Sequence, residues 1–149
     1  MGETAFTIRE MTPDDSAAAA TLDKKCFSKR EAFSRNYFFA VAKSFQNIFF
    51  VVEADGKLIA CAGAEIRHDA AEIQTIAVDP HYRGRGIGTK LFSKLIEAIK
   101  EFGATLIYLE VRPSNTPAIN LYEHFGFRAF DTIKNFYGNE DALVMMRNL

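Results

Sequence analysis

The sequence has no tryptophan, two cysteines and four prolines, and no apolar run near the roughly 18 residues of a membrane-spanning helix. The apolar run from Ile48 to Val52 has the length of a buried strand. No basic stretch followed by an apolar one stands at the start, so we expect a cytoplasmic protein without a membrane partner. Cys26 and Cys61 lie far apart, and neither has a Cys or His at metal-ligand spacing. We therefore predict two reduced, buried thiols and no metal site.

The sequence also lacks a large excess of charge of either sign, since it has 18 Lys and Arg residues and 19 Asp and Glu residues. Nucleic-acid-binding domains normally carry a clear excess of Lys and Arg, so no nucleic-acid partner is expected. With 48% hydrophobic residues and 14 Phe, the chain of 149 residues can form one aromatic-rich core. No internal repeat or Pro/Gly/Ser-rich linker divides it. Residues 1–149 are therefore predicted to form a single domain, as a monomer or a homodimer.

Strand-like and helix-like segments alternate along the chain. The predicted strands are Phe6–Glu10, Ile48–Ala54, Lys57–Arg67, Ala71–Val78, Leu106–Val111, Phe127–Phe136 and Asp141–Asn148. The predicted helices run from Thr12 to about Phe27, from Ala32 to Phe45, from Ile87 to Phe102 and from Thr116 to Phe125, with Thr12 and Thr116 as caps. Because several strands are linked as hairpins, the pattern predicts an α/β fold with a mixed sheet covered by helices.

The most informative segment is Arg83-Gly84-Arg85-Gly86-Ile87-Gly88, between a predicted strand and a predicted helix. A helix N-terminus presents unpaired N–H groups and about half a positive charge, and glycines let a phosphate approach the backbone. Further positive charge comes from Lys90 and Lys94, so the expected ligand carries more than one phosphate. A dinucleotide fingerprint would need glycine where Thr89 stands, and the Gly-Lys-Ser/Thr of a P-loop is absent.

The remaining pattern, Arg-x-x-Gly-x-Gly, resembles the pyrophosphate-binding turn of the Gcn5-related N-acetyltransferase (GNAT) superfamily. The stretch from Leu109-Glu110-Val111-Arg112 through a Ser-Asn turn and a Leu-Tyr helix to Gly126-Phe127 is similar to ribosomal-protein-alanine and related N-terminal acetyltransferases. The resemblance extends from about Phe6 to Leu149 and is densest from Glu72 to Phe127. It implies a GNAT-like, mostly antiparallel sheet of about seven strands flanked by about four helices.

The resemblance also implies acetyl-CoA as the cofactor and a set of residues that bind it. These residues are Arg83, Gly84, Arg85, Gly86, Ile87, Gly88 and Thr89 in the turn, Ile76, Ala77 and Val78 in the preceding strand, and Asn115. The three strand residues would pair their main chain with the pantetheine amides, as an added strand would. The alternatives are a glycine-rich connector with solvated arginines and, for Asn115, an ordinary turn residue.

Acetyl transfer requires a neutral amine, and an α-amine with a pKa near ~8 is already ~10% neutral at pH 7. A modest base therefore suffices. The resemblance makes Glu110 that base, acting through water, whereas pairing with Arg112 or with a neighbouring strand is the structural alternative. It makes Tyr122 the partner of the cofactor sulfur, where we favour stabilisation of the thiolate over full proton transfer. For Tyr122 the alternative is a core residue.

In the family, the acceptor lies between the loop joining the first two helices and the last hairpin, which here contain the predicted substrate-binding residues Phe33 and Tyr137. Phe136 replaces a family tyrosine, and the Pro-Trp of bacterial members is absent from the first loop. The preferred acceptor is the α-amine of a protein N-terminus, such as a ribosomal protein. The alternatives are a small-molecule amine, such as a polyamine or an antibiotic, and a CoA-binding module without turnover.

Overall fold

The computed structural model describes residues 5–149, in which seven strands form one sheet. The strands are β1 (Thr7–Glu10), β2 (Asn47–Ala54), β3 (Lys57–Arg67), β4 (Ala70–Val78), β5 (Leu106–Val111), β6 (Arg128–Ile133) and β7 (Ala142–Asn148). Four α-helices accompany them: α1 (Ser16–Cys26), α2 (Arg35–Ala42), α3 (Ile87–Phe102) and α4 (Thr116–His124). The sheet order is β1-β2-β3-β4-β5-β7-β6, and the pairs are antiparallel except for β4 with β5. The predicted fold class is confirmed.

Helices cover both faces of the sheet. The apolar face of α3 packs on one side, and it buries Ile87, Leu91, Phe92, Leu95, Ile96 and Ile99. Helix α4 joins this face because Tyr122 and Phe125 lie against the Phe92 ring. Helices α1 and α2 pack on the opposite face, around Phe38 and Val51. Each buried Leu, Ile or Phe side chain contributes roughly 1.5–3 kcal/mol, so both layers hold the sheet in place. No helix within residues 5–149 is long and apolar enough to cross a membrane.

Several predicted boundaries were wrong, because some elements begin later or end earlier than the residue pattern indicates. Helix α1 begins at Ser16, after a short 3-10 turn over Pro13–Asp15 that follows Thr12. Helix α2 ends at Ala42, and Phe45 lies beyond it with 95% of its surface exposed, so Phe45 is not part of the buried helix face. Strand β6 ends at Ile133, so Phe136 belongs to the loop before β7.

The cap of α4 also differs from the prediction. Asn115, rather than Thr116, caps the helix, and its Oδ1 accepts a hydrogen bond from the N–H of Ala118 at 3.3 Å. A side-chain oxygen at this position satisfies one of the N–H groups that a helix start leaves unpaired. Asn115 is therefore a helix cap rather than an ordinary turn residue.

Strands β4 and β5 separate after a short stretch of pairing. Only Ala70–Glu72 pairs with Leu106–Tyr108 in the parallel register. Beyond Glu72, the edge of β4 faces a gap instead of a neighbouring strand. Because an unpaired strand edge presents free N–H and C=O groups, the gap offers a surface on which an extended ligand can hydrogen-bond.

Strand β4 contains a bulge at Gln74. In the register with β3, Gly63 pairs with Thr75 and Ala64 pairs with Ile73, so Gln74 is an extra residue. An extra residue reverses which face the following side chains occupy. Accordingly, Ile73 packs with the α3 cluster, whereas Ala77 packs with the α1–α2 cluster.

Gly63 also allows a close approach across the sheet, because a Cβ atom there would lie 2.2 Å from the ring of Phe49. The bulge and this glycine together fix the path of β4 beside β3.

Candidate active site

A cavity of about 750 Å³ opens where β4 and β5 diverge. Six of the residues predicted as functional from the sequence line it: Ile76, Asn115, Glu110, Tyr122, Phe33 and Tyr137. Glu110 extends from β5 towards the α1–α2 face, whereas Tyr122 comes from α4 on the α3 face. The cavity therefore passes through the sheet and is accessible to groups from both faces.

The glycine-rich turn leads into α3 with its backbone exposed. Gly84 and Gly86 both have φ of +78°, and no atom lies within 4 Å of where a Cβ would stand at either. Gly86 is the N-cap of α3, so the first N–H groups of the helix face this open space. The turn thus fits a pyrophosphate in shape and in partial charge.

Two arginines hold this turn in place. Arg83 Nε donates to the carbonyl of Val78 at 2.9 Å, and Arg85 Nη2 donates to the carbonyl of His81 at 3.0 Å. Their guanidinium groups therefore add positive charge beside the exposed N–H groups. Lys90 and Lys94 lie elsewhere, over the rings of Phe6 and Phe50.

The open edge of β4 presents alternate backbone groups to the gap. The N–H of Asp79 donates to Ile59 O at 2.8 Å, which makes Ala60 and Val78 a non-hydrogen-bonded pair of the β3–β4 ladder. The backbone groups of Val78, and of Ile76 two residues earlier, therefore point away from β3 and into the gap. Those of Ala77 point to β3. The Val78 carbonyl already accepts from Arg83 Nε and from the Cys26 thiol. Of the main-chain groups in the three consecutive residues, the N–H and C=O of Ile76 and the N–H of Val78 are therefore available for the expected pairing.

Glu110 is half-buried, and its shifted pKa is the most informative one of the site. Burial is the main cause that raises its pKa to about 7, and a hydrogen bond with Glu72 and the charge of Glu72 raise it further. The alternative of an ion pair with Arg112 is not realised, because Arg112 pairs with Glu31 and Glu140 instead. Near neutral pH, Glu110 can both accept and release a proton.

Tyr122 combines a packed ring with a hydroxyl at the cavity wall. Its ring lies 5.6 Å from that of Phe92 and 6.0 Å from that of Phe127, measured between centroids. Within residues 5–149 the hydroxyl has no hydrogen-bond partner. Burial raises the pKa of Tyr122 well above its usual value, so the hydroxyl remains protonated and able to donate.

Arg112 connects the two segments where the acceptor was expected, which we term the acceptor loops, residues 27–33 and residues 135–141. Its guanidinium pairs with Glu31 of the first loop and with Glu140 of the second, at 3.2 Å for the latter. It also donates to Asn139 Oδ1 at 2.8 Å and lies 4.3 Å from the ring centre of Tyr137. One side chain therefore fixes the spacing between the acceptor loops.

The predicted substrate residue Phe33 is also held in a fixed position. Its N–H donates to Asp23 Oδ2 at 2.8 Å, and Asp23 Oδ1 accepts from the Thr75 hydroxyl at 3.2 Å. The ring of Phe33 stacks on Tyr37 with centroids 4.0 Å apart. The first acceptor loop is thereby anchored to both α1 and β4.

Sequence reasoning missed several cavity residues, chiefly Glu72, Asp23 and Cys26. Simple strand alternation puts Glu72 on the same face as Ile76, and only the bulge at Gln74 separates them. Cys26 is half-buried rather than buried, and its thiol donates to Val78 O at 3.4 Å. Burial raises the pKa of Cys26, which keeps it a thiol and not an activated nucleophile. Among residues 5–149, no group of three or more His, Cys, Asp or Glu side chains could hold a metal ion.

Comparisons with known proteins agree with this geometry. Residues 16–127 match the family described as the acetyltransferase (GNAT) family. A Bacillus subtilis (strain 168) protein, provisionally named a ribosomal protein bS18-alanine N-acetyltransferase, is 43% identical over 99 residues, 65% of this chain and 66% of that protein. The chain thus spans just under two thirds of that relative. An N-alpha-acetyltransferase from Sulfurisphaera tokodaii is 36% identical over 125 residues, 73% of this chain and 75% of the relative.

A solved structure extends the likeness over nearly the whole chain. The crystal structure of the ribosomal-protein-S18-alanine N-acetyltransferase from Escherichia coli has a TM-score of 0.87 and 30% sequence identity, over 97% of this chain and 94% of that one. The region matched by the family begins with α1 and ends just after α4, so it contains the turn before α3 and the whole gap between β4 and β5. This chain belongs to the GNAT family of N-acetyltransferases, which use acetyl-CoA as the acetyl donor.

Proposed function

We propose that the chain transfers the acetyl group of acetyl-CoA to the α-amine of a protein N-terminus, with a ribosomal protein as the leading acceptor. The observation that carries this proposal is the cavity through the sheet, with Glu110 on one side and the Tyr122 hydroxyl on the other. Both named relatives and the Escherichia coli structure bear names that refer to acetylation of alanine or of an α-amine.

On the donor side, the turn from Arg83 to Thr89 would hold the pyrophosphate of acetyl-CoA with backbone N–H groups and arginine charge. Ile76 and Val78 would pair with the amides of its pantetheine arm along the open edge of β4. Asn115 lines the same cavity, and its side-chain N–H₂ group is available because only Oδ1 serves the helix cap. The donor supplies a thioester carbonyl with a thiol leaving group.

Glu110 would remove a proton from the acceptor ammonium, directly or through one water molecule. The nitrogen lone pair then forms the new N–C bond with the thioester carbonyl carbon, and the C–S bond breaks. Tyr122 would donate a hydrogen bond to the sulfur, which stabilises the thiolate as it leaves. Because attack is direct, no residue of the chain carries the acetyl group.

On the acceptor side, the aromatic rings of Phe33 and Tyr137 would flank the first residue of the acceptor chain. The cavity is also lined by Asp23, Glu31 and Glu72, whose carboxyl groups favour a cationic amine. Arg112 neutralises part of this charge and holds the acceptor loops at a fixed distance. The site thus suits a short cationic chain end in an aromatic-walled opening.

The proposal is tested by mass spectrometry of peptides incubated with the protein and acetyl-CoA. The panel varies the first residue, and each peptide contains one lysine and has a matched partner whose α-amine is blocked. We expect acetylation of the free α-amine in peptides that begin with Ala or Ser, and none in the blocked partners. Acetylation of polyamines alone, with acetyl-CoA bound but every peptide unmodified, would replace the protein acceptor by a small amine.

Tyr122→Phe tests the role of the hydroxyl separately. We expect kcat to fall about 10- to 100-fold, because a hydrogen bond to a charged group is worth about 1.5–3 kcal/mol. The KM values stay unchanged. Since the hydroxyl has no partner in the described chain, the melting temperature should also be nearly unchanged. Tyr82→Phe is the matched control, because its hydroxyl bonds to Asp55 away from the cavity. Equal kcat in the Tyr122 variant and the wild type would leave Tyr122 as a core residue only.

A further inference from the structure

Glu72 lies beside the proposed base although it comes from a different strand. In the parallel register it pairs with Tyr108, two residues before Glu110 on β5. Side chains two residues apart share one face of a strand, and directly paired residues of neighbouring strands also share a face, so Glu72 lies on the same face as Glu110. Both carboxyl groups line the cavity, and Glu72 is among the causes that raise the pKa of Glu110. Two neighbouring carboxylates disfavour being ionised together, so the pair tends to hold one proton.

Glu72 also connects the cavity to the protein surface. Its Oε1 accepts from Gln74 Nε2 at 3.2 Å and lies 3.5 Å from Arg67 Nη2. Arg67 pairs in addition with Glu65, and 57% of its side-chain surface is exposed. A continuous set of polar contacts therefore runs from Glu110 through Glu72 to solvent at Arg67.

We propose that Glu72 is a positioning residue that shares one proton with Glu110 and passes the proton released by the acceptor ammonium to solvent at Arg67. The inference rests on the proposed function, because the ammonium is that of the proposed acceptor. It adds a second carboxyl group and a proton exit to the reaction.

With this pair of carboxyl groups, both protons lost by the acceptor nitrogen are accounted for. Before reaction the two carboxyl groups hold one proton and one negative charge. The ammonium N–H bond breaks, and its proton makes both groups neutral, while the nitrogen lone pair forms the N–C bond. When the C–S bond breaks, the sulfur takes the electron pair, and the second proton lost by the nitrogen converts the thiolate to a thiol. The pair then releases its extra proton to water beside Arg67.

Other groups face the pair from every surrounding element. They are Asp23 from α1, Tyr37 from α2, Glu65 and Arg67 from β3, Tyr108 and Arg112 at β5, and Glu31 and Tyr137 from the acceptor loops. Burial raises the pKa values of the three tyrosines, so they stay neutral through the neutral range. Of the carboxyl groups in this set, Glu72 is the one among the causes that raise the pKa of Glu110, so it is the residue to substitute.

The shared proton is tested without turnover by ¹³C NMR titration of the carboxyl carbons in the free protein. In the wild type we expect a Glu carboxyl that titrates near pH 7. In Glu72→Gln that titration moves at least about one pH unit lower, because the like charge is removed and an amide can donate to Glu110. Glu65→Gln is the matched control, since it removes a carboxyl from Arg67 without touching Glu110. An unchanged titration in Glu72→Gln overturns the proposal.

The proton transfer is tested by the pH profile of kcat/KM for an α-amine peptide. We expect the acid limb to shift in Glu72→Gln by the same amount as the NMR titration, with acetyl-CoA affinity unchanged and the Glu65→Gln profile as in the wild type. A shifted titration with an unmoved acid limb overturns the transfer role. If the wild type acetylates no amine, the proposed function fails, whereas the NMR result still decides whether the two carboxyl groups share a proton.

Discussion

Glu110→Gln should lower kcat/KM for an α-amine peptide about 100-fold at pH 7. General-base catalysis is worth about 100- to 10,000-fold, and the lower end applies because an α-amine is already ~10% neutral at this pH. The amide has nearly the size of the carboxyl group but cannot accept the proton. Acetyl-CoA affinity should be unchanged, since the donor contacts lie along β4 and the turn before α3.

The pH dependence of the wild type follows from the same group. Burial and Glu72 raise the pKa of Glu110 to about 7. The active form is the ionised carboxylate, so activity is present above this pH and is lost as the pH falls through it. Steady-state kinetics from pH 5 to 9 measure this acid limb. In the Glu110→Gln profile the inflection near pH 7 should be absent, which leaves only the fall set by the α-amine itself below its pKa near ~8.

Glu97→Gln serves as the control for Glu110→Gln, because it removes one negative charge from the exposed face of α3. Its kcat/KM should equal that of the wild type at each pH. A Glu110→Gln protein with wild-type activity would remove Glu110 from the reaction.

Gly86→Asp should weaken acetyl-CoA binding at least about 100-fold. Two unit charges 4 Å apart near a protein surface repel by about 4 kcal/mol, and each 1.4 kcal/mol is a tenfold change in Kd. The aspartate would put its charge into the open space at the start of α3, where the pyrophosphate is proposed to bind. Isothermal titration calorimetry with acetyl-CoA measures the loss.

Two further variants separate charge from backbone strain. Gly86 has φ of +78°, so any side chain there is strained, and Gly86→Ala introduces that strain without the charge. Gly56→Asp introduces both at the turn between β2 and β3, where φ is +72° and the surroundings are equally open. We expect a small loss of affinity for the first and none for the second. Unaltered acetyl-CoA binding by Gly86→Asp would refute the phosphate assignment.

Local rules explain which parts of the molecule could be predicted from the sequence. The glycine-rich turn starts α3 as predicted because a strand, positive-φ glycines and an amphipathic stripe follow one another directly in the chain. Glu110 and Tyr122 reach one cavity because each lies at a fixed offset from a recognisable strand end or helix start. These relationships depend on neighbours in the chain, and a single sequence records them.

The remaining features depend on contacts between distant segments. The bulge at Gln74 arises in the pairing of β4 with β3, and no pattern within β4 alone reveals that Glu72 and Ile76 lie on opposite faces. The role of Arg112 likewise depends on two acceptor loops that meet only in the folded chain. The end of α2 before Phe45 was missed for a simpler reason, since the apolar spacing continues past the last helical hydrogen bonds.

The separation of β4 from β5 has a consequence for the size of the acceptor. In the proposed complex the nucleotide lies at the turn before α3, and the acceptor approaches from the face of α1 and α2. Only the reacting ends need to meet inside the sheet. The bulk of a folded macromolecule can therefore stay outside the protein, so an entire ribosomal subunit and a short peptide would present the same few atoms to Glu110.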